Sequence, residues 1–253
     1  MYLQSIGPLK ICKFKAFSGY SELIACMSTR AGGWSSHPFN SLNLGFKAGD
    51  DPCVVERNRE SFFKLIGVPR DALAIPGQIH SHHVRTAAHP GSFPETDALI
   101  TDRRGIYLVV SVADCPPVFL YSPEGHVIAV VHSGWRGTLD RIAARTVVEI
   151  EDGCSCNPEG IIAVIGPSIG PCCYEVGEDV ASMFDGRFLT GSAKGGHRLN
   201  LWEAVKQQLI ESGLNPKNIF NPEVCTCCNQ NIFYSHRGSG GKTGRMLGII
   251  GLK

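Results

Sequence analysis

Residues 112–137, VADCPPVFLYSPEGHVIAVVHSGWRG, place Cys115 before one apolar run and His132 at the end of another. The Ser-Pro-Glu-Gly sequence between the two runs predicts a β-hairpin that pairs residues 118–121 with residues 126–131. A hairpin brings its outer ends together, so a thiolate and an imidazole are predicted to face one pocket. That arrangement suits a metal site or a Cys/His catalytic pair.

Apolar runs elsewhere predict further strands, at residues 11–17, 22–28, 106–112, 160–166 and 246–252. Residues 29–50 lack periodicity and are rich in Gly, Ser and Asn, which predicts a long ordered loop. Loops of this length are more often functional than idle.

Three helices are predicted from their caps. Asp51-Pro52 starts a helix that Gly67 ends, and Asn200 starts one over residues 201–212. Thr138 is predicted to cap a third helix, directly after the hairpin. On the first helix Asn58 and Arg59, taken alone, are predicted to be surface residues.

Composition limits the classes of function. The chain has 253 residues, 43% of them hydrophobic, and a net charge of +1, which predicts one domain over residues 1–253 with a sizeable core. No Lys/Arg run suggests a nucleic-acid or membrane partner, and no apolar stretch approaches the roughly 20 residues of a spanning helix. The N-terminus lacks a signal-peptide pattern, so a cytoplasmic protein is expected, and its 11 cysteines are expected to be reduced.

Three histidines, His80, His82 and His83, fall within four positions. On a strand His80 and His82 would share one face, and His83 would point the other way. Lone histidines are usually structural or solvated, but a cluster favours a ligand role.

The best candidate set for a metal is His80, Cys115 and His132. Two imidazoles and one thiolate suit zinc and leave a fourth position open for water or substrate. Asp114 would orient a ligand or act as an acid/base group. Backbone amides near Gly134, with Arg136, are predicted to hold an anion.

Other interpretations of the same residues remain open. The set suits a trigonal copper site, although no methionine adjoins it to act as an axial ligand. Cys115 could instead be a nucleophile with His132 or His80 as its base. The structural alternative is a buried thiol beside two structural histidines.

The sequence contains two cysteine groups and lacks several known motifs. Cys225, Cys227 and Cys228, with Cys172-Cys173, could form a second zinc site. Apart from a marginal match between Cys225 and Cys228, they lack the usual C-x2-4-C pair spacing, so buried reduced thiols are favoured. The zinc deaminase signature is missing, as are the Walker loop and the dinucleotide fingerprint.

The chain resembles the YfiH family, also called the multicopper polyphenol oxidase or laccase-domain family. The resemblance rests on an ordered series of motifs that spans nearly the whole chain: TRAGGWSSHPFNSLNLGFKAGDDP, ERNR, QIH, ADCPPV, HSGWRG, GPSIGPCCYEVG, CT…FYSHR and TGR. It departs from the family at Ser81, where the family often has Gly, and at Gly238, where the family has a second Arg.

The resemblance implies a fold and an activity. The fold is a mixed-sheet α/β (α+β) sandwich with flanking helices, like the catalytic domain of cytotoxic necrotizing factor. The family's zinc ligands match His80, Cys115 and His132. Its members are described as phosphorylases of adenosine, inosine and methylthioadenosine with adenosine deaminase activity. Copper-dependent polyphenol oxidation and editing of peptidoglycan precursors by an amidase are also ascribed to it.

We therefore expect a zinc enzyme that acts on a small molecule, a purine nucleoside with phosphate, and copper is the alternative metal. Cys115, Asp114, Arg136 and Arg59 are the expected catalytic residues, the two arginines by positioning an anion or substrate. A copper polyphenol oxidase and a peptidoglycan-precursor amidase are the alternative activities.

Overall fold

The computed structural model describes residues 1–191 and 196–253. In chain order its strands are β1 (Tyr2–Ile6), β2 (Leu9–Lys13), β3 (Leu23–Ser28), β4 (Leu73–Pro76), β5 (Val84–Thr86), β6 (Gly91–Phe93), β7 (Ala98–Thr101), β8 (Tyr107–Val112), β9 (Pro117–Ser122), β10 (Val127–His132), β11 (Ile162–Ile165), β12 (Glu175–Val176), β13 (Leu189–Gly191), β14 (His197–Leu199), β15 (Ile219–Phe220) and β16 (Met246–Leu252). Its α-helices are α1 (Pro52–Ile66), α2 (Trp135–Leu139), α3 (Ile142–Cys154), α4 (Glu178–Ala181) and α5 (Leu201–Glu211).

Two mixed sheets form the centre of the protein. The first has seven strands in the order β1-β2-β3-β16-β8-β4-β6, and the second has six in the order β15-β11-β9-β10-β7-β5. Most neighbours are antiparallel, but β4 runs parallel to β6 and β8, β5 runs parallel to β7, and β11 runs parallel to β15. A small third sheet has the order β12-β14-β13.

Three apolar layers hold these elements together. The inner layer lies between the two large sheets and includes Val110 and Phe119. The second sheet packs its other face on α3 and α5 through Val147 and Val205. The first sheet packs on α1 through Phe62. The result is an α/β/β/α sandwich, so the predicted fold class is confirmed.

The predicted cap is correct for α1 and wrong for the helix that follows the hairpin. The Asp51 side chain accepts a hydrogen bond from Cys53 N (2.8 Å), and Gly67 ends α1 in a left-handed conformation, as predicted. The prediction for Thr138 is wrong, since Gly134 is the N-cap of α2 and Thr138 lies inside that helix. The apolar residues that follow, which include Ile142, Val147 and Ile150, belong to α3, which begins after Arg141.

Two further predictions need correction. The strand expected over residues 11–17 ends at Lys13, because Lys15–Phe17 form a short 3-10 turn. The three clustered histidines lie in a loop before β5 and not on a strand, and His80 has a φ of 62°. In the described part of the chain, no helix is long and apolar enough to cross a membrane.

Candidate metal centre and cavity

The predicted hairpin forms and places Cys115 beside His132. Strands β9 and β10 pair with His132 opposite Pro117, so Cys115, two residues before Pro117, lies next to the end of β10. His80 reaches the same point from the loop between β4 and β5. The three possible ligand atoms of His80, Cys115 and His132 lie within 4.8 Å of one another. We call these residues the His/Cys/His set.

Asp97, which sequence reasoning missed, organises this set. Its side chain is fully buried, and Oδ1 accepts a hydrogen bond from His132 Nδ1 (2.8 Å). This bond leaves His132 Nε2 as the nitrogen available to a metal or to Cys115. The Asp97 carboxylate also accepts hydrogen bonds from the backbone N–H groups of Ile79 (3.1 Å), His80 (3.1 Å) and Ser81 (2.8 Å).

The loop that carries His80 is therefore fixed at several points. Gln78 exchanges two hydrogen bonds with the backbone of Ser111 on β8 (2.7 and 2.8 Å). Gln78 and His80 both have positive φ values, 49° and 62°. Such backbone conformations cost energy for residues other than glycine and persist only where surrounding contacts impose them. Here the contacts are those with Asp97 and Ser111.

Cys115, His132 and Asp97 stabilise the charged forms of one another. Burial would raise the pKa of Cys115, but the charge of His132 and hydrogen bonds from His132 and His80 lower it to about 6. Burial would lower the pKa of His132, but Cys115 and Asp97 raise it to about 9. Burial would also raise the pKa of Asp97, but hydrogen bonds from His132 and Ser81 hold it well below its usual value. A thiolate at neutral pH is the form that binds metals and attacks electrophiles.

Gly134 lets the backbone pass close to the set. A Cβ atom at this position would lie 3.2 Å from Cys115 Sγ and 3.1 Å from His80 Cδ2. Its backbone conformation is open to any residue (φ −64°, ψ 171°), so the requirement for glycine is steric.

The His/Cys/His set lies in the wall of a cavity of about 430 Å³, a size common for small-molecule sites. The rest of the wall is largely apolar and also includes Lys47, Arg59, Arg245 and His236. Among the residues that the structure describes, no Asp or Glu lines it. The charged side chains in the cavity wall outside the set are therefore basic.

Arg59 was predicted from its helix position to be a surface residue, and that prediction is wrong. Its side chain is 8% exposed, because residues of the 29–50 loop cover this part of α1. Nη1 donates to Leu44 O (2.9 Å), and the guanidinium lies over the rings of Phe46 and Phe63. In the described chain it has no carboxylate within 4.0 Å, and its buried Nε has no hydrogen-bond partner. Burial lowers the pKa of Arg59 to about 10.

Asp114 is held by other segments and does not line the cavity. Its carboxylate accepts hydrogen bonds from Thr226 Oγ1 (2.6 Å) and Arg237 N (2.7 Å), and its backbone O accepts one from Ile169 N (2.8 Å). Its φ is 89°. These contacts fix the corner that carries Cys115.

The remaining predicted residues lie elsewhere. Arg136 is exposed, stacks on the Trp135 ring at 4.2 Å and does not line the cavity. His82 Nδ1 lies 3.4 Å from Asp140, and His83 Nδ1 lies 2.8 Å from Glu95 O. Neither histidine joins Cys115 and His132. Of the three clustered histidines, the structure brings His80 alone to the set.

Comparison with known proteins gives three kinds of match. A family model described as multi-copper polyphenol oxidoreductase laccase matches residues 24–253. The purine nucleoside phosphorylase YlmD of Geobacillus stearothermophilus is 33% identical, covering 92% of this chain and 91% of the relative. The purine nucleoside phosphorylase YfiH of Escherichia coli is 34% identical, covering 90% of this chain and 93% of the relative.

A solved structure agrees with the fold. The crystal structure of YlmD from Geobacillus stearothermophilus superposes with a TM-score of 0.92 at 31% identity, over 99% of this chain and 98% of that one.

Proposed function

This chain belongs to the multi-copper polyphenol oxidoreductase laccase family, and we propose that it is a zinc-dependent purine nucleoside phosphorylase acting on adenosine, inosine and methylthioadenosine. Similar proteins named purine nucleoside phosphorylase support the reaction class. The observation that carries the proposal for this chain is an unpaired buried cation beside the His/Cys/His set.

That cation is Arg59. A buried charge is normally paired, because desolvation makes an unpaired buried charge costly. Arg59 has no carboxylate partner in the described chain, and it shares a cavity with Lys47 and Arg245. Among the residues that the structure describes, the Arg245 guanidinium likewise donates only to carbonyls, those of Thr243 and Gly244 (2.9 and 3.0 Å). An anionic ligand would supply the missing charge, and phosphate is the anion that phosphorolysis consumes.

The His/Cys/His set fits zinc by its donor types. Two imidazoles and a thiolate on one zinc ion leave a fourth position for water or substrate. Asp97 fixes the His132 tautomer, as carboxylates do beside zinc-bound histidines. A trigonal copper site usually has an axial methionine. Met246 does not take this position, because it lies in the core between the sheets, where its Sδ accepts a hydrogen bond from Tyr234 N (3.1 Å).

Phosphorolysis forms a bond between a phosphate oxygen and ribose C1′ and breaks the bond from C1′ to the purine, which leaves with a proton. Bound zinc would supply Lewis acidity and lower the pKa of a bound water. Arg59 and Arg245 position the phosphate and stabilise its charge. His236 lines the cavity outside the set, and we assign to it the proton for the leaving purine.

Asp114 and Arg136 take supporting roles in this proposal. Because Thr226 and Arg237 already occupy the Asp114 carboxylate, we propose that it orients Cys115 and transfers no proton. Arg136 is exposed on α2 outside the cavity wall, and we propose that its charge attracts an anionic substrate.

The test is a product assay on zinc-loaded protein with adenosine, with and without phosphate. We expect adenine and ribose 1-phosphate only when phosphate is present, and loss of both products in His80→Ala and Cys115→Ala. His82→Ala is the matched control and should keep activity, since His82 lies outside the set. A zinc-loaded protein that forms neither product contradicts the proposal.

We also propose the adenosine deaminase activity that the family resemblance implies, and the same assay tests it. Deamination adds water at C6 of adenine and releases ammonia, so inosine would form whether or not phosphate is present. Inosine that appears at equal rates in wild type and Cys115→Ala would place deamination outside this site.

A second candidate function is a cysteine amidase that edits peptidoglycan precursors. The observation that favours it is the chain of contacts from Asp97 to His132 to Cys115, with the pKa of Cys115 lowered to about 6. A thiolate, a base and an orienting carboxylate in that order suit acyl transfer. Release of an amino acid from a muropeptide precursor by metal-free protein, regardless of phosphate, would support it.

A further inference from the structure

A second cluster of metal-binding side chains lies outside the cavity. The sulfurs of Cys172, Cys173, Cys225 and Cys228 lie within 4.8 Å of one another. The sequence favoured buried reduced thiols there, but Cys172 and Cys228 are exposed. We propose that these four residues, the tetracysteine cluster, bind one structural zinc ion. This inference is independent of the proposed function.

The spacing of the sulfurs supports one shared ion. Cys228 Sγ lies 3.6 Å from Cys172 Sγ and 3.4 Å from Cys173 Sγ. Four sulfurs around a tetrahedral zinc, each about 2.3 Å from the metal, lie about 3.8 Å apart. Disulfide-bonded sulfurs lie only about 2.05 Å apart. The thiols are thus arranged around a common centre.

The backbone builds this arrangement from two distant segments. Ser168 pairs with Cys225 as a parallel bridge, which brings the turn after β11 beside the turn after β15. Cys173 N donates to Gly170 O (3.0 Å), which closes the first turn. Cys225 and Cys228 have the two-residue separation that is standard for zinc ligands.

A backbone N–H group favours the thiolate form of Cys225. Gly170 N donates to Cys225 Sγ (3.3 Å), a bond of the kind that supports metal-bound thiolates. Four thiolates complete the tetrahedral coordination of zinc and leave no open position, so the site is structural. The donor set is all sulfur, which suits zinc or iron and excludes calcium and magnesium.

Such an ion would also stabilise the corner that carries Cys115. The same two turns hold Asp114, because Ile169 N donates to its backbone O (2.8 Å) and Thr226 Oγ1 to its carboxylate (2.6 Å). Asp114 precedes Cys115 in the chain. Zinc between the turns would fix this corner without touching a substrate.

The first experiment uses the wild-type chain and measures alkylation of each cysteine by mass spectrometry, with zinc and after chelation. Cys172 and Cys228 are exposed, so the reagent can reach both in metal-free protein. We expect zinc to slow both by at least about tenfold. Cys53, also exposed but on α1, is the matched control and should react at the same rate in both states. Equal rates for Cys172 and Cys228 with and without zinc overturn the proposal, as does a disulfide between them.

The second experiment counts the ions in His80→Ala/Cys115→Ala protein, which lacks two of the cavity ligands. We expect one tightly held zinc per chain. Adding Cys172→Ser and Cys228→Ser should remove it, and adding Cys227→Ser instead should leave it. Iron in place of zinc, loss of the ion with Cys227→Ser alone, or no ion in the double variant each contradicts the assignment.

Discussion

Asp97 Oδ1 lies 2.8 Å from His132 Nδ1, and the same carboxylate accepts hydrogen bonds from three consecutive backbone N–H groups around His80. One buried side chain thus sets the tautomer of one proposed ligand and the position of another. Its distance in sequence from both Cys115 and His132 explains why no local motif revealed it.

Asp97→Asn should weaken zinc binding by about 10- to 100-fold, because an amide cannot accept all of these hydrogen bonds. The measurement is competition for zinc against a chromophoric chelator. Asp140→Asn is the control, since Asp140 contacts only the exposed His82 among the histidines (3.4 Å). Unchanged zinc affinity in Asp97→Asn would show that Asp97 does not position the set.

Cys115 should react with iodoacetamide at a rate that rises through about pH 6 in metal-free protein, following the pKa of its thiol. A thiol in the unfolded chain should follow a pKa near 8.5. Because the folded pKa is lowered, the Cys115 thiolate contributes stability that is fully present above the unfolded pKa and is lost as pH falls through about 6. Peptide-level mass spectrometry gives the rate. A midpoint above pH 8 would contradict the proposed thiolate.

Local signals in the sequence were sufficient for part of the site. The turn between two apolar runs predicted that Cys115 and His132 meet, and the register of β9 and β10 confirms it. The caps of α1 and the final strand were also readable, since capping and apolar periodicity act over a few residues.

Contacts between residues that are distant in sequence could not be predicted from these local signals. Asn58 and Arg59 looked like surface residues because helix periodicity does not show that a loop 15 residues away in the chain will cover them. The sequence pattern does not show that the contacts with Asp97 and Ser111 hold His80 in a loop with positive φ, and not in the strand geometry considered for it. The tetracysteine cluster depends on two turns more than 50 residues apart.

Gly134→Ala should weaken zinc binding while the protein remains folded. The added Cβ would press on Cys115 Sγ at 3.2 Å and His80 Cδ2 at 3.1 Å, but the backbone conformation tolerates alanine. Gly153→Ala is the control, since a Cβ there meets nothing within 4 Å and should stabilise α3 by roughly 0.5–1 kcal/mol. Zinc titration and thermal unfolding measure the two effects. Wild-type zinc affinity in Gly134→Ala would refute the steric argument.

Asn58→Ala should lower the free energy of unfolding by about 3 kcal/mol, because it leaves several buried groups unsatisfied. The Asn58 side chain bonds to Trp34 N, Ser35 Oγ and Asn43 O (all 2.9 Å), which fastens the 29–50 loop to α1. Urea unfolding gives the value. Glu60→Ala, on the exposed side of the same helix, should change it by less than about 0.5 kcal/mol. Equal losses in both variants would mean that the loop does not depend on Asn58.

Arg59→Gln should raise the KM for phosphate by about tenfold or more and leave the KM for adenosine nearly unchanged. Removing an unpaired cation from a phosphate site costs at least one charge-assisted hydrogen bond, each worth about 1.5–3 kcal/mol. Arg57→Gln is the matched control, because Arg57 lies two residues away on α1 but stacks on Trp34 outside the cavity. Initial rates at varied phosphate give both constants. If Arg59→Gln raises the KM for adenosine instead, Arg59 binds the nucleoside, and the phosphate must lie nearer Arg245 and Lys47.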